Sequence, residues 1–171
     1  MSRIAGSSRD VAIWSLRRQA VPILSTLAAS LLDVLPIVAT VPLIPDFAFL
    51  VLLAWRLLRP EMWLAHMALP LGLFNDLVSG HPLGQSMALW TIIFLMFDLV
   101  DSRLGWRDYW TDWFFASLAV LLYTFGVWGI TRLLGSQAPF DVLWPQVIIS
   151  ILSYPVVARL VLALDGWRLG R

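Results

Sequence analysis

From residue 20 to residue 164 the chain alternates long apolar runs with short polar breaks. The runs cover residues 20–40, 47–58, 62–79, 85–100, 110–134 and 142–164. Pro42, Pro45 and Asp46 mark a tight turn, Arg59-Pro60-Glu61 closes the second run, Pro70 interrupts the third, and a polar loop spans 101–108. A membrane-crossing helix needs about 20 apolar residues, so the pattern predicts six spanning helices. The second run is short, which predicts thinning of the bilayer, tilt, or a partly re-entrant start. Residues 1–19 carry Arg3, Arg9, Arg17 and Arg18 and read as a cytoplasmic, interfacial head, with Val11, Ile13, Trp14 and Leu16 suited to the membrane surface. The chain thus divides into this head, a membrane domain over 20–165 and a basic tail over 166–171. Read as a signal peptide, the first run would release nothing soluble, because everything after it is also membrane-like.

Composition sharpens this into a class. Of the 171 residues 60% are hydrophobic and 13% charged, whereas soluble domains are about half apolar and about a quarter charged. A soluble core of this size could not hide so much apolar surface. Six spans would use about 120 residues, leaving no room for a separate soluble domain. A net charge of +1 without a concentrated basic patch excludes a nucleic-acid partner. With no cysteine, disulfide, thiolate-metal and Cys-nucleophile chemistry are absent.

Arginine counting orients the bundle. With the N-terminus inside, eleven arginines fall on the inner side and only Arg132 on the outer. This asymmetry supports an even number of spans and cytoplasmic termini. Trp63, Trp106, Trp110, Trp113, Trp144 and Trp167 lie near span ends, as an aromatic belt would. The expected fold is an all-α integral membrane protein, a bundle of six transmembrane helices.

Polar residues within the runs are the candidates for function. Ala68, Gly72, Asn75, Asp76 and Ser79 share one stripe of the third span, and Gly80, Pro82 and Gly84 form the turn after it. Small residues on a stripe let another helix approach, and polar side chains bond across the contact. Ordinary helix packing with a Gly-Pro stop explains the glycines; an intramembrane Asp76 calls for a partner. Asp33, Asp76 and Arg132 all fall on the outer side, which predicts that Arg132 pairs with Asp76 or Asp33. The alternative is that each charge reaches the headgroups separately. Asp98, Asp101, Asp108 and Asp112 are expected to pair with Arg103 and Arg107 at the inner water boundary, and Arg56 and Arg59 to snorkel. His66 is expected to be packed and hydrogen-bonded, and His81 solvated. No Ser/His pair, protease aspartate motif, dense acidic motif or phosphate-cradling loop is evident, so neither catalysis, cofactor nor metal is expected.

The run Pro45-Asp46-Phe47-Ala48-Phe49-Leu50-Val51-Leu52-Leu53-Ala54-Trp55, then Arg59-Pro60-Glu61, then Gly72-Leu73-Phe74-Asn75-Asp76-Leu77-Val78-Ser79-Gly80-His81-Pro82-Leu83-Gly84, resembles the rod-shape-determining MreD family. The likeness is dense over residues 42–103, and the turn at Phe140 to Trp144 also fits. It implies a non-enzymatic, multi-pass component of the bacterial inner membrane in the cell-elongation machinery. Its implied partners are MreC and, indirectly, MreB and the peptidoglycan synthases, beside the lipid bilayer; a second copy of the chain is a further candidate. The family is similar in architecture to the substrate-binding subunits of energy-coupling-factor transporters. The alternative function is therefore a small-molecule subunit in which Asp33, Asn75 and Asp76 line a cavity.

Overall fold

A computed structural model describes residues 8–32, 44–60, 65–101, 108–136, 139, 141 and 143–169, with side chains from residue 20 onward. Six helices follow one another: α1 Ser8–Leu32, α2 Phe47–Leu58, α3 Ala65–Ser79, α4 Gln85–Asp101, α5 Tyr109–Leu133 and α6 Leu143–Leu169. No strand occurs among the described residues. Two helices, α5 and α6, are long and apolar enough to cross a membrane; α2, α3 and α4 are shorter.

Helix α2 is the hub. Its sequence is apolar on all sides, and Ala48, Phe49, Leu50, Leu52, Leu53, Ala54, Trp55 and Leu57 are all buried; an all-round apolar helix belongs in a core. It packs between α1 and α6, while α3 and α4 form a tight hairpin, and α5 lies against α4 and α6. Trp55 anchors the α1 contact, donating its indole N–H to Ser25 Oγ at 2.8 Å.

The outer faces are inverted relative to a soluble protein. On α3, Leu69, Leu73 and Leu77 are exposed, while Ala68, Gly72, Asn75 and Asp76 are buried. On α6, Ile148, Leu152, Val156, Leu160 and Leu164 repeat every four residues and all are exposed. Isolated exposed leucines are ordinary, but contiguous apolar stripes covering buried carboxylates and arginines are what a lipid-facing bundle presents.

One local expectation changes, at Pro70. Helix α1 is continuous from Ser8 through Arg17 and Arg18 to Leu32. The remainder of the first run, residues 33–40, lies outside the described residues. Pro70 does not break α3, which runs through it from Ala65 to Ser79. Pro155 is deep inside α6 and leaves the carbonyl of Ile151 without its helical donor. The indole N–H of Trp113 on α5 donates to that carbonyl at 3.2 Å, so the proline gap becomes an interhelical contact.

Candidate functional site

The α3–α4 hairpin assigns a role to most of the polar stripe. Gly72 lies against the backbone of α4: a Cβ there would sit 2.6 Å from Met87 Cα and 2.8 Å from the Ser86 carbonyl carbon. Only glycine permits this approach. Gly80 and Gly84 have φ of +69° and +92°, left-handed values that let the chain reverse within five residues, with Pro82 between them accepting a hydrogen bond from Gln85 N–H. Gly84 precedes the first residue of α4 and so occupies its N-cap position, where its missing side chain cannot cap the helix.

Asp76 supplies that cap from the neighbouring helix. Its Oδ2 accepts the Gly84 N–H at 2.9 Å and more distantly the Met87 N–H at 3.4 Å, and its Oδ1 accepts the Ser86 N–H at 2.8 Å. Three backbone donors and the positive end of the α4 dipole satisfy a carboxylate that is 1% exposed. These donors take the place of Arg132, the partner that the charge pattern suggests. Arg132 is exposed, and its guanidinium lies 5.0 Å from the ring centroid of Trp128, a cation–π contact within α5. Asp33, the other candidate partner, lies outside the described residues. The stripe also faces inward onto α4, so its small residues pack within the chain.

Beside this cap a chain of hydrogen bonds crosses the bundle. Asn75 Nδ2 donates to Ser86 Oγ at 3.3 Å, Ser86 Oγ lies 3.4 Å from the Tyr123 hydroxyl, and that hydroxyl donates to Asp46 Oδ2 at 2.6 Å. Asp46 in turn caps α2, its Oδ1 accepting the Phe49 N–H at 2.8 Å. Phe49 stacks on Tyr123 with ring centroids 4.4 Å apart. Burial pushes the Asp46 carboxyl above the ordinary aspartate range, against the pull of its hydrogen bonds from Tyr123 and Phe49. Asp46 and Tyr123 also border a cleft of about 280 Å³. Ser79 and His81 line it too, and His81 is half-buried rather than solvated, with Nδ1 buried and unpartnered. His66, expected to be packed, is exposed on α3.

The opposite end of the bundle is held by charge. Arg56, 1% exposed, reaches Asp98 Oδ1 at 2.6 Å and Asp101 Oδ2 at 2.8 Å, joining α2 to α4. Its guanidinium also lies within 6 Å of the Phe94 and Phe97 rings, at 5.8 and 5.9 Å. Arg59 donates twice to Asp165 Oδ2, at 2.7 and 3.2 Å, and Arg168 binds the other oxygen of Asp165 while resting on Trp55. Arg56 therefore does not snorkel but pairs with Asp98 and Asp101; the expected partners Arg103 and Arg107 lie outside the described residues. Sequence reasoning missed this network. Its one signal is the three-residue spacing of Asp98 and Asp101, which puts both carboxylates on one face of α4.

Among the described residues no group of three or more His, Cys, Asp or Glu side chains could hold a metal ion. The arrangement offers structural capping and ionic clamping instead. A family model described as rod shape-determining protein MreD matches residues 17–164, a span that includes both ends of the bundle. No curated protein and no solved structure matches the chain. The glycines, Asp76 and the hairpin they build thus stand within a match over most of the sequence, and the chain belongs to the MreD family of rod shape-determining proteins.

Proposed function

We propose that this chain is a six-span, non-enzymatic scaffold of the bacterial inner membrane, with both termini in the cytoplasm. In this reading it binds MreC and connects cytoskeletal MreB to peptidoglycan synthesis. The family match over residues 17–164 carries the reading. Three further observations support it. Apolar stripes face outward around buried charges, as a bilayer requires. The bundle end that gathers Arg56, Arg59 and Arg168 is the one the arginine distribution assigns to the cytoplasm. The short α2 is enclosed between α1 and α6, so in this reading it needs less apolar length of its own to cross.

Because the small-residue stripe of α3 is occupied by α4, a partner helix in this reading docks on the exposed apolar faces of α4, α5 or α6. The transporter-subunit alternative has less support, since Asn75 and Asp76 bond to α4 instead of lining a cavity. Depletion in a rod-shaped host decides between them. Rounded cells, restored by the wild-type chain, are expected. Cells that keep their rod shape but become vitamin auxotrophs would overturn the scaffold.

A further inference from the structure

Two of the donors that line the cleft at the hairpin end are already engaged beside the Asp46 carboxylate. Tyr123 gives its hydroxyl proton to Asp46, and Gln146 Nε2 is directed to the Ile44 carbonyl at 3.4 Å. A carboxylate offers about four lone-pair positions; on Asp46 the Phe49 N–H and the Tyr123 hydroxyl make close hydrogen bonds and the Ala48 N–H also faces it, which leaves acceptor capacity open. His81 Nδ1 is buried without a partner, and no arginine pairs with Asp46 among the described residues. The rest of the wall combines the apolar side chains of Leu32, Val127 and Leu143 with the hydroxyl residues Ser79 and Thr124.

We propose that this cleft binds a primary ammonium group carried on a small apolar body, held at the Asp46 carboxylate. An ammonium brings three donors, one positive charge and no acceptor, the complement of the Asp46 carboxylate. It would also offset the burial of the Asp46 carboxyl. A quaternary ammonium fits poorly, because it has no N–H to give. About 280 Å³ lies near the lower end of ligand-pocket volumes, enough for a headgroup-sized amine and not for a large cofactor. Two sources share this chemistry: the headgroup of an aminophospholipid, and a free alkylamine.

The test uses the full chain in nanodiscs made from equal parts phosphatidylethanolamine and phosphatidylcholine, with retained lipids counted by native mass spectrometry. In a second arm the detergent-solubilised protein is melted with and without n-butylamine. Asp46→Asn removes the charge but also alters the α2 cap, so Val127→Phe serves as the second variant, filling the cleft from its apolar wall. If the source is lipid, the wild type retains phosphatidylethanolamine over phosphatidylcholine several-fold and Val127→Phe abolishes the preference. If it is a free amine, saturating n-butylamine raises the wild-type melting temperature by about 3 °C and leaves Val127→Phe unmoved. Absence of both responses in the wild type, or their persistence in a folded Val127→Phe, overturns the proposal.

Discussion

At the hairpin end of the bundle, Asp76 and Asp46 are held by backbone N–H groups and a phenol; at the other end, Asp98, Asp101 and Asp165 are held by arginines. Both ends draw carboxylates wholly or partly out of water, and both give them partners. The difference lies in what the partner is. A helix N-terminus is already part of the fold, so Asp76 needs no second charged side chain, and its only demand is that α4 begin beside it. An arginine is a separate charge with its own desolvation cost, and it must arrive from a helix far away in sequence. The Asp76 cap is therefore a local device, and the ionic end is a clasp that closes only when α2, α4 and α6 have assembled.

That contrast gives the largest expected effect. Arg56→Leu removes the cation that Asp98 and Asp101 share, in a site where Arg56 itself is 1% exposed. Losing one partner of a buried ion pair costs about 3–5 kcal/mol. The expected value falls toward the lower figure, since Asp98 retains 33% exposure. Tryptophan fluorescence during thermal unfolding in detergent reads the loss. The triple variant Arg56→Leu, Asp98→Leu, Asp101→Leu should recover most of it, because the whole set is replaced at once. A triple variant less stable than Arg56→Leu would break the clasp description, pointing to net attraction well beyond desolvation.

At the hairpin end the corresponding effect is steric. Gly72→Ala places a methyl group 2.6 Å from a backbone atom that cannot rotate away. Overpacking of this kind costs about 1–3 kcal/mol, and the expected readout is a lower melting temperature. Gly126→Ala is the control. Its Cβ would meet only the tip of the Leu89 side chain at 2.5 Å, which can turn aside. Equal losses in the two variants would contradict the backbone contact between α3 and α4.

Smaller again is Tyr123→Phe. It keeps the stack on Phe49 but removes the hydroxyl that links Ser86 to Asp46. A hydrogen bond to a charged group contributes about 1.5–3 kcal/mol, and water entering the adjacent cleft can replace part of it. The expected loss is about 1 kcal/mol. An unchanged melting temperature would separate α5 from the polar chain.

The same contrast explains what is legible in the sequence. The segment from Gly72 to Met87 is contiguous, and its residue types are those a tight helical hairpin requires, so the stripe and the turn can be read from the residues alone. The role of Asp76 cannot: its partners are backbone amides, which every sequence contains and none advertises. The ionic end is hidden for a different reason. Arg56 meets Asp98 across 42 positions and Arg59 meets Asp165 across 106, and nothing local favours those partners over Arg103 or Arg107. The distribution of arginines indicates which residues share an end of the bundle but not which of them touch. The helical class and the order of the elements follow from apolar length. The burial of all of α2 at the centre does not, because an apolar run reads the same whether lipid or protein surrounds it.

The smallest expected effect is the one that most sharpens the comparison. If the hairpin end worked like the ionic end, Arg132→Gln would mimic Asp76→Asn, because each would remove half of an ion pair. The geometry predicts otherwise. Asp76→Asn replaces one acceptor oxygen of the α4 cap with an amide donor that faces other donors, whereas Arg132→Gln removes an exposed contact with Trp128. The arginine change should cost about 0.5 kcal/mol or less, the value of an exposed cation–π contact. Combined with Asp76→Asn it should add without coupling, within about 0.5 kcal/mol, as sites with no shared partner do. A coupling above about 1 kcal/mol in that double-mutant cycle would mean that Arg132 does act on Asp76, and the distinction between a capped end and a clasped end would fail.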